Sequence, residues 1–345
     1  MYAGQSRNTV QINASVYDLA EYTAGNTTIT DSIGMTYAIL QKYQRPMCAI
    51  SGGSDSDIVI DLCSRLDTER KTRYVWYNTG LEYQATKEHL AYLEQRYDVH
   101  IERINAVKSI PFCCMEYGRP FLSKIVSKYL EKLQRSGFQW EDEPYEVLSK
   151  RYPDNYAVAW WCNRREAEVW NIEHYRYLKG FLVSNPPRFA ISDKCCYYAK
   201  KKTAGKCVRD SNADVTIMGV RKAEGGARSV SIKSCFTEER GLFRPIFWYS
   251  DQDKTEYDRL FDIQHSDCYR VWGFKRTGCT GCPFGRNVFG ELEAAKRYEP
   301  GLYKAACRVF GDSYDYTRQY REYVRQHKSG DKTLNLFEEI DDDEY

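Results

Sequence analysis

A short polar turn between an apolar stretch and a helical pattern constrains this chain more than any other feature. The turn spans Ser51 to Ser56 and has the sequence SGGSDS. Before it, Pro46 to Ile50 is short, apolar and started by proline, which is typical of a buried strand. After it, apolar residues recur at helical spacing: Ile58, Val59, Leu62 and Leu66. Asp57 and Asp61 lie on the opposite face of this predicted helix. The sequence therefore predicts a strand, a tight turn and a helix in succession.

A turn of this composition suits the binding of phosphate or pyrophosphate. Gly52 and Gly53 tolerate positive φ angles, so the backbone can approach a ligand closely. The first amides of the following helix have no partner within the helix, and the helix dipole adds partial positive charge there. The three serines of the turn add hydroxyl donors. The alternative is a serine-capped turn that binds nothing, because short motifs of this kind also occur by chance.

The composition is that of a folded soluble protein. The 345 residues suffice for one large domain or two smaller ones. Fifty basic and 48 acidic residues leave a net charge of only +2. This net charge does not indicate a nucleic-acid partner, although it does not exclude one. No apolar run approaches the roughly 20 residues of a membrane span, and Met1 to Thr30 lacks a signal peptide. We therefore expect a cytoplasmic protein without a membrane partner, in which clustered cysteines bind metal or do redox chemistry.

Strand patterns alternate with helical patterns along the chain. Further strands are predicted at Tyr74–Tyr77, Val99–Ile104 and Asp214–Val220. Helices are predicted at Ser32–Tyr43, Thr86–Tyr97, Phe121–Leu133, Glu166–Leu182, and from a cap at Ser250 or Asp251 to Phe261. This alternation predicts an α/β fold with a doubly wound, mostly parallel, Rossmann-like sheet, whose ligands bind at the carboxyl ends of the strands.

The chain divides into three predicted parts. Residues 1–30 form a peripheral N-terminal segment, residues 31–290 a nucleotide-binding domain, and residues 291–345 a C-terminal helical region with an acidic tail. Within the large domain we expect a helical insertion at about 111–187 and a cysteine-rich, metal-binding segment at about 191–286.

Two cysteine pairs differ from the other thiols in their spacing. Cys195 and Cys196 are adjacent, whereas Cys279 and Cys282 form a C-x-x-C flanked by glycines. Four thiolates suit a [4Fe–4S] cluster or tetrahedral zinc, and an adjacent pair suits the cluster better because neighbouring cysteines can reach different iron corners. Zinc and four independently buried thiols stay open as alternatives. Cys235 and Cys268 are alternative ligands, because they lie closer in sequence to the C-x-x-C. A third pair, Cys113-Cys114, has no second C-x-x-C to join it and is predicted to lie in the core.

Several segments resemble the phosphoadenosine phosphosulfate reductase family. The turn is similar to the S-G-G-x-D-S pyrophosphate loop of the adenine nucleotide α-hydrolase (PP-loop) superfamily, although many members have lysine where this chain has Ser54. The order and interval of the cysteine pairs resemble those with which adenylylsulfate reductases bind a [4Fe–4S] cluster. Tyr77–Gly80, Gly219–Arg228 and Arg244–Asp253 also resemble family segments, and the likeness covers about Gln41 to Arg286.

This resemblance implies a function for particular residues. The turn would hold the phosphates of ATP or phosphoadenosine phosphosulfate beside the four-cysteine cluster, and Asp55 is the nearest candidate to bind Mg²⁺. The implied catalytic residues are Asp55, Arg221, Arg228 and Lys275. The implied nucleotide-binding residues are Ser51, Gly52, Gly53, Ser54, Asp55, Ser56, Asn78, Thr79, Gly80, Arg221 and Arg228. The implied metal ligands are Cys195, Cys196, Cys279 and Cys282.

Three hypotheses for the function stay open. The first is an enzyme of sulfur metabolism that uses an adenine nucleotide, together with an electron or sulfur donor protein, for sulfonucleotide reduction or ATP-dependent sulfur transfer. Reductases of the family have a catalytic cysteine in an E-C-G-x-H-like segment, whereas only Cys307 follows Cys282 here. The second is a tRNA- or DNA-modifying ATP pyrophosphatase of the thiolation or phosphorothioation type. The third is a non-catalytic, zinc-stabilised nucleotide-binding module.

Overall fold

The computed structural model describes residues 15–164, 171–225 and 232–328, and these residues form two compact units. The first unit comprises the described residues within Met1–Asn78, Glu82–Asn105 and Lys202–Thr277. The second comprises those within Thr79–Leu81, Ala106–Lys201 and Gly278–Tyr345. Each unit is thus assembled from three separate stretches of the chain, and the predicted 31–290 domain includes parts of both.

A six-stranded sheet forms the centre of the first unit. Its strands are β1 (Pro46–Ala49), β2 (Arg73–Asn78), β3 (Ile101–Asn105), β4 (Val215–Met218), β5 (Phe236–Thr237) and β6 (Leu242–Phe243). Their order across the sheet is β3-β2-β1-β4-β6-β5. All neighbouring strands are parallel except β5 and β6. The predicted α/β fold with a doubly wound, mostly parallel sheet is therefore confirmed.

The central strand is short and apolar because it is covered on both faces. Met47 and Cys48 of β1 are fully buried, and the register places Cys48 between Tyr74 of β2 and Ile217 of β4. Parallel strands of this kind read as continuous apolar runs rather than alternating ones. The first strand predicted from the sequence therefore lies in the middle of the sheet.

Helices flank the sheet in the first unit. They are Val16–Tyr22, Thr27–Lys42, Ser54–Leu66, Gln84–Tyr97, Thr203–Ser211, Asp251–Phe261 and Asp267–Arg270. The four helices predicted here are confirmed, and Ser250 caps the one that ends at Phe261. One expectation differs: Leu19 and Ile29 are buried in the core, so the described part of the predicted peripheral segment 1–30 is packed against it.

The second unit is mostly helical. Its α-helices are Ile110–Tyr117, Lys124–Arg135, Tyr145–Arg151, Ala157–Trp161, Leu178–Ser184, Lys194–Cys196, Val288–Tyr298 and Pro300–Lys328. A π-helix at Tyr197–Lys202 continues from the pair Cys195-Cys196. Trp160 and Trp161 are fully buried, and Trp160 stacks on Tyr129 with 4.8 Å between the ring centroids.

One predicted helix is interrupted. The first residues of Glu166–Leu182 lie outside the described residues, as does the acidic tail. The described remainder has a 3₁₀ turn at Ile172–His174 and an α-helix only from Leu178. Between them Tyr177 adopts a left-handed conformation with φ of +59°, which ends one helical segment before the other begins.

None of the helices within the described ranges has the length and apolar character that crossing a bilayer requires.

Candidate functional site

The polar turn joins β1 to the helix Ser54–Leu66, which we call the loop helix. Ser51 Oγ accepts a hydrogen bond of 3.2 Å from the Gly53 amide, and Ser56 Oγ donates one of 2.7 Å to the Gly53 carbonyl. Gly52 has a φ of +71°, and a Cβ there would lie 2.6 Å from Cγ2 of Thr86. The turn therefore needs glycine at position 52 both for its conformation and for space.

The turn lies at the point where the strand order reverses. The chain passes from β1 to β2 on one side, and later adds β4 on the other side of β1. Gly219 follows β4, and a Cβ there would lie 2.9 Å from the carbonyl carbon and oxygen of Asp55. Glycine thus lets the end of β4 touch the first turn of the loop helix. Open α/β sheets bind their ligands at this position.

Asp55 is the centre of a charged cluster beside the turn. Arg221 Nε donates to its two carboxylate oxygens at 3.0 and 3.1 Å, and Arg221 Nη1 donates to Asp251 at 2.8 Å. Burial lowers the pKa of Arg221, but the charge of Asp55 and the hydrogen bonds to Asp251 and Asp55 outweigh it, so the pKa is raised. Lys254 Nζ donates to Asp55 Oδ1 at 3.0 Å and also contacts Ser54 Oγ.

The structure thus brings together two predicted site residues and adds two that the sequence analysis missed. Asp55 and Arg221 were predicted, whereas Lys254 and Asp251 were not. The sequence did predict the cap of the helix Asp251–Phe261, on which both lie. Nothing in the local pattern connects Lys254 with Ser54, which is 200 positions earlier.

Two hydroxyl groups cover the turn in this structure. Tyr269 Oη and Thr277 Oγ1 lie 3.1 Å apart, and they would be 3.1 and 3.3 Å from a Cβ on Gly53. Burial raises the pKa of Tyr269, while hydrogen bonds with Thr277 and Ser54 act in the opposite direction. Gly52, Gly53 and Ser54 are buried. Phosphate oxygens that bind the buried amides would therefore displace hydroxyl contacts.

A buried carboxylate of the loop helix, Asp57, contacts two histidines from other parts of the first unit. Asp57 Oδ2 lies 2.8 Å from His265 Nδ1, and Asp57 Oδ1 lies 3.0 Å from His89 Nε2. The other ring nitrogen of His265 lies 3.0 Å from Asp258 Oδ2. Burial lowers the pKa of His265, but the hydrogen bonds with Asp258 and Asp57 raise it to about 9. His265 is therefore an imidazolium at neutral pH, with a carboxylate at each nitrogen.

The predicted segment Asn78–Gly80 is divided between the two units. In the first unit, Asn78 Nδ2 donates to Asn105 Oδ1 at 3.1 Å. In the second, Thr79 is buried with its Oγ1 3.5 Å from Cys279 Sγ. Gly80 has a φ of +88°, and a Cβ there would lie 2.9 Å from Cβ of Ser109. A role of this segment beside adenosine stays a prediction.

The two predicted cysteine pairs lie in one apolar cluster of the second unit. Cys195 and Cys279 are 2% and 3% exposed, and the half-buried Cys196 and Cys282 pack against the same cluster. The pair Cys113-Cys114 belongs to it as well, so its predicted position in a core is confirmed. Cys114 also shares a hydrogen bond with Cys195, which the spacing of the cysteines did not predict.

These thiols raise one another's pKa. The hydrogen bond with Cys114 is the largest cause of the raised pKa of Cys195, and the hydrogen bond with Cys195 is the largest for Cys196. Burial, followed by the charges of Cys279 and Cys196, raises the pKa of Cys282. Lys200 lowers the pKa of Cys196 and Cys282 without offsetting these effects. A cationic metal centre would reverse this balance, because it favours thiolates.

The donor set fits an iron–sulfur cluster in type and neighbourhood. Four cysteines from two distant segments share one buried cluster, and Lys200 provides positive charge near two of them. Within the described residues, no group of three or more His, Cys, Asp or Glu side chains is arranged to hold a metal ion. Ligation of a cluster or of zinc by these four cysteines stays a prediction.

The structure gives little about three further residues that the sequence analysis singled out. Lys275 is exposed in the first unit, and Arg228 lies outside the described residues. Cys307 is half-buried and hydrogen bonds with Tyr303. Their roles stay predictions.

The fold is an α/β fold in which the glycine turn follows the first strand, β1. Residues 45–112 match the family model described as the phosphoadenosine phosphosulfate reductase domain. This segment contains β1, the turn, the loop helix, β2 and β3. The resemblance to the phosphoadenosine phosphosulfate reductase family is therefore confirmed over residues 45–112.

Three solved structures share a low identity with the chain. A phosphoadenylyl-sulfate reductase from Candida auris, in a phosphate complex, is 10% identical with a TM-score of 0.38 and covers 71% of this chain and 87% of its own. An NH₃-dependent NAD synthetase from Campylobacter jejuni, in complex with nitrate, is 10% identical with a TM-score of 0.36, covering 89% and 96%. A U34-tRNA thiolase from Methanococcus maripaludis, with its [4Fe–4S] cluster, is 11% identical with a TM-score of 0.34, covering 85% and 79%.

No curated protein matches the chain.

Proposed function

We propose that this protein is an enzyme of sulfur metabolism that binds ATP at the turn after β1 and uses it for sulfur transfer. The observation that carries this proposal is the cation cluster at the reversal of the strand order, where Asp55 holds Arg221 and Lys254 beside the buried glycine turn. Two cations next to a helix N-terminus are suited to a polyphosphate. The family match over residues 45–112 supports an adenine nucleotide.

The proposed reaction has two steps. An acceptor oxygen attacks the α-phosphorus of ATP, the bond between the α- and β-phosphates breaks, and pyrophosphate leaves. A sulfur nucleophile from a donor protein then attacks the acceptor carbon or phosphorus, forms a bond to sulfur, and releases AMP with the acceptor oxygen. Asp55 would be the candidate ligand of a Mg²⁺ ion bound with the nucleotide, and the ion would neutralise part of the phosphate charge.

The four cysteines of the second unit would hold a [4Fe–4S] cluster, with zinc as the alternative. A cluster bound there would supply a site for electrons or for sulfur. The chain's own contribution is to bury the ligands: Cys195 and Cys279 lie among apolar side chains, and the hydroxyl of Thr79 lies 3.5 Å from Cys279 Sγ. A hydroxyl in this position can donate a hydrogen bond to a ligating sulfur.

Variants at two glycines test the nucleotide site. Gly219→Ala places a Cβ against the backbone of Asp55 and should weaken ATP binding at least about tenfold, because backbone atoms cannot move as freely as a flexible side chain. Gly311→Ala is the control, since a Cβ there meets no atom within 4 Å. Equilibrium dialysis with Mg²⁺-ATP measures binding, and pyrophosphate release measures turnover. Absence of ATP binding by the wild type, or unchanged binding in Gly219→Ala, would contradict the proposal.

A second candidate is sulfonucleotide reduction, which the description of the matching family model favours. It requires a nucleophilic thiol, and Cys307 is the cysteine that follows the cluster. Release of sulfite from phosphoadenosine phosphosulfate, abolished in Cys307→Ser, would support reduction. Release of pyrophosphate from ATP would support sulfur transfer.

A third candidate is nucleic acid as the acceptor, as in a tRNA- or DNA-modifying ATP pyrophosphatase. In the second unit, the guanidinium carbons of Arg318 and Arg321 both lie 4.8 Å from the ring centroid of Phe289. These three residues line a groove of about 710 Å³. Cations around an aromatic ring are suited to nucleic acid. Filter binding of tRNA and of duplex DNA, compared between the wild type and Arg318→Gln, tests this candidate.

A further inference from the structure

Lys254 contacts the glycine turn at the first two residues of the loop helix, Ser54 and Asp55. It lies on the helix Asp251–Phe261, near the other end of the first unit's sequence. Its ammonium contacts Ser54 Oγ and lies 3.0 Å from Asp55 Oδ1. The side chain is only 16% exposed, so the ammonium is held rather than mobile in solvent.

The charges around this ammonium do not balance. Asp55 faces both Lys254 and Arg221, which leaves two cations for one carboxylate beside the turn. Asp251 also binds Arg221, but its side chain is 87% exposed, so solvent screens that charge strongly. The N-terminus of the loop helix adds partial positive charge of its own. With Asp251 screened by solvent, the net charge beside the turn is therefore positive.

Lys254 also has a hydrogen-bond donor to spare. A lysine ammonium carries three N–H donors. In the described part of the chain, Ser54 Oγ and Asp55 Oδ1 take two of them. The third is available to an anionic oxygen without breaking either contact.

We propose that Lys254 is the phosphate-binding cation of the turn, supplied by a distant helix, and that it selects ligands with a pyrophosphate group over nucleoside monophosphates. This inference rests on the proposed function and deepens it. Ser54 is small enough for the ammonium to reach the first residue of the loop helix. A lysine at position 54 would place a second ammonium at the same point. The carboxylate of Asp55 offsets part of the charge of Lys254 and Arg221 and therefore weakens their attraction for an anionic ligand.

Binding of metal-free inorganic pyrophosphate, ATP and AMP by isothermal titration calorimetry tests the proposal. Lys254→Met keeps the length of the side chain and removes its charge. We expect it to weaken pyrophosphate and ATP binding at least about tenfold and AMP binding less than about twofold. Lys254→Arg should restore most of the loss. Lys206→Met is the control, because Lys206 is an exposed lysine of the same unit that pairs with Asp210.

Two further variants separate a binding role from a structural one. Asp55→Asn frees both cations and should tighten the binding of metal-free pyrophosphate, the opposite of the effect of Lys254→Met. Lys254→Ser alone should lose pyrophosphate binding. The double variant Ser54→Lys with Lys254→Ser moves the ammonium to position 54 and should recover that binding. This recovery remains measurable even if Lys254→Met folds poorly.

The outcomes distinguish this inference from the proposed function. Wild-type binding of pyrophosphate and ATP that is unchanged in Lys254→Met would overturn the role of Lys254 and leave the nucleotide site standing. An equal loss of AMP and pyrophosphate binding would overturn the selectivity. Absence of ATP and pyrophosphate binding by the wild type would overturn the proposed function itself.

Discussion

Two fully buried carboxylates lie on the loop helix, and each has its own set of partners. Asp57 lies between His89 and His265. Asp61, one turn further on, accepts hydrogen bonds of 2.7 Å from Arg65 Nε and from Tyr257 Oη. A buried carboxylate without such partners costs several kcal/mol. These contacts therefore fix the helix that begins at the glycine turn.

His265 should make the stability of the protein depend on pH. Its pKa is raised from 6.5 to about 9, so its stabilising contribution is complete below about pH 6.5 and is lost as the pH rises through 9. The expected loss is on the order of 3 kcal/mol at most. Urea unfolding at pH 6 and pH 9.5, with a thiol reductant, measures it.

His265→Gln should remove this dependence, because glutamine can donate a hydrogen bond but cannot ionise. His100→Gln is the control, since His100 is 80% exposed in the same unit. A fall in the urea midpoint between pH 6 and 9.5 that is as large in His265→Gln as in the wild type would show that His265 is not its source.

At this scale, local patterns predicted only part of the site. The turn from Ser51 to Ser56, with Asp55, and Arg221 were predicted as site residues because each comes soon after a strand pattern. Their ion pair was not predicted. Asp57 was predicted opposite the apolar face, yet it is fully buried. Its partner His265 is 208 positions away, and contacts between residues so far apart leave no signal in the local sequence.

At the scale of single elements, the helix Asp251–Phe261 connects stability with the proposed site. Ser250 and Asp253 form a capping box, in which each side chain bonds to the backbone of the other. The first turns of this helix carry Asp251 and Lys254, which contact Arg221 and Asp55. The cap therefore fixes the position of Lys254 itself and of Asp251, which binds the second cation, Arg221.

Ser250→Ala should destabilise the first unit by about 1 kcal/mol and also weaken pyrophosphate binding. Ser15→Ala is a matched control, because Ser15 forms the same capping box on the helix Val16–Tyr22. We expect it to lower the urea midpoint without changing pyrophosphate affinity. Equal pyrophosphate affinities in the two variants would show that the cap has no part in holding the cations.

Apolar periodicity predicted most of these elements but not where they break. The helices at Thr27–Lys42 and Gln84–Tyr97 each begin within five residues of their predicted starts. The described part of Glu166–Leu182 has the right periodicity, yet Tyr177 turns out of it into the left-handed region. The spacing of apolar residues cannot predict such a change in the backbone angles.

At the scale of the whole molecule, chain segments far apart in sequence supply the cysteine cluster. Cys114 and Cys195 lie on two helices of one stretch of the second unit, Cys279 lies in another stretch, and all three share one buried core. The sequence predicted the pair Cys195-Cys196 and the pair Cys279 and Cys282 from their spacing. It did not predict Cys114 beside them, because an adjacent pair in an apolar stretch reads as ordinary core.

Metal content should depend on the predicted pairs and not on the other thiols. Anaerobically purified protein should contain about four iron and four sulfide per chain, and Cys279→Ser should lose both. Cys268→Ser is the control, since Cys268 is buried in the first unit and lies outside the cysteine cluster. About one zinc per chain would favour the zinc alternative, and absence of both metals would contradict metal binding.

The chain passes from one compact unit to the other five times, at residues 78/79, 81/82, 105/106, 201/202 and 277/278. Any uninterrupted fragment that holds all of one unit also holds a large piece of its neighbour. Neither unit can therefore be cloned separately by trimming the gene at its ends. A single gene segment that encodes both the glycine turn and Lys254 also encodes Cys195.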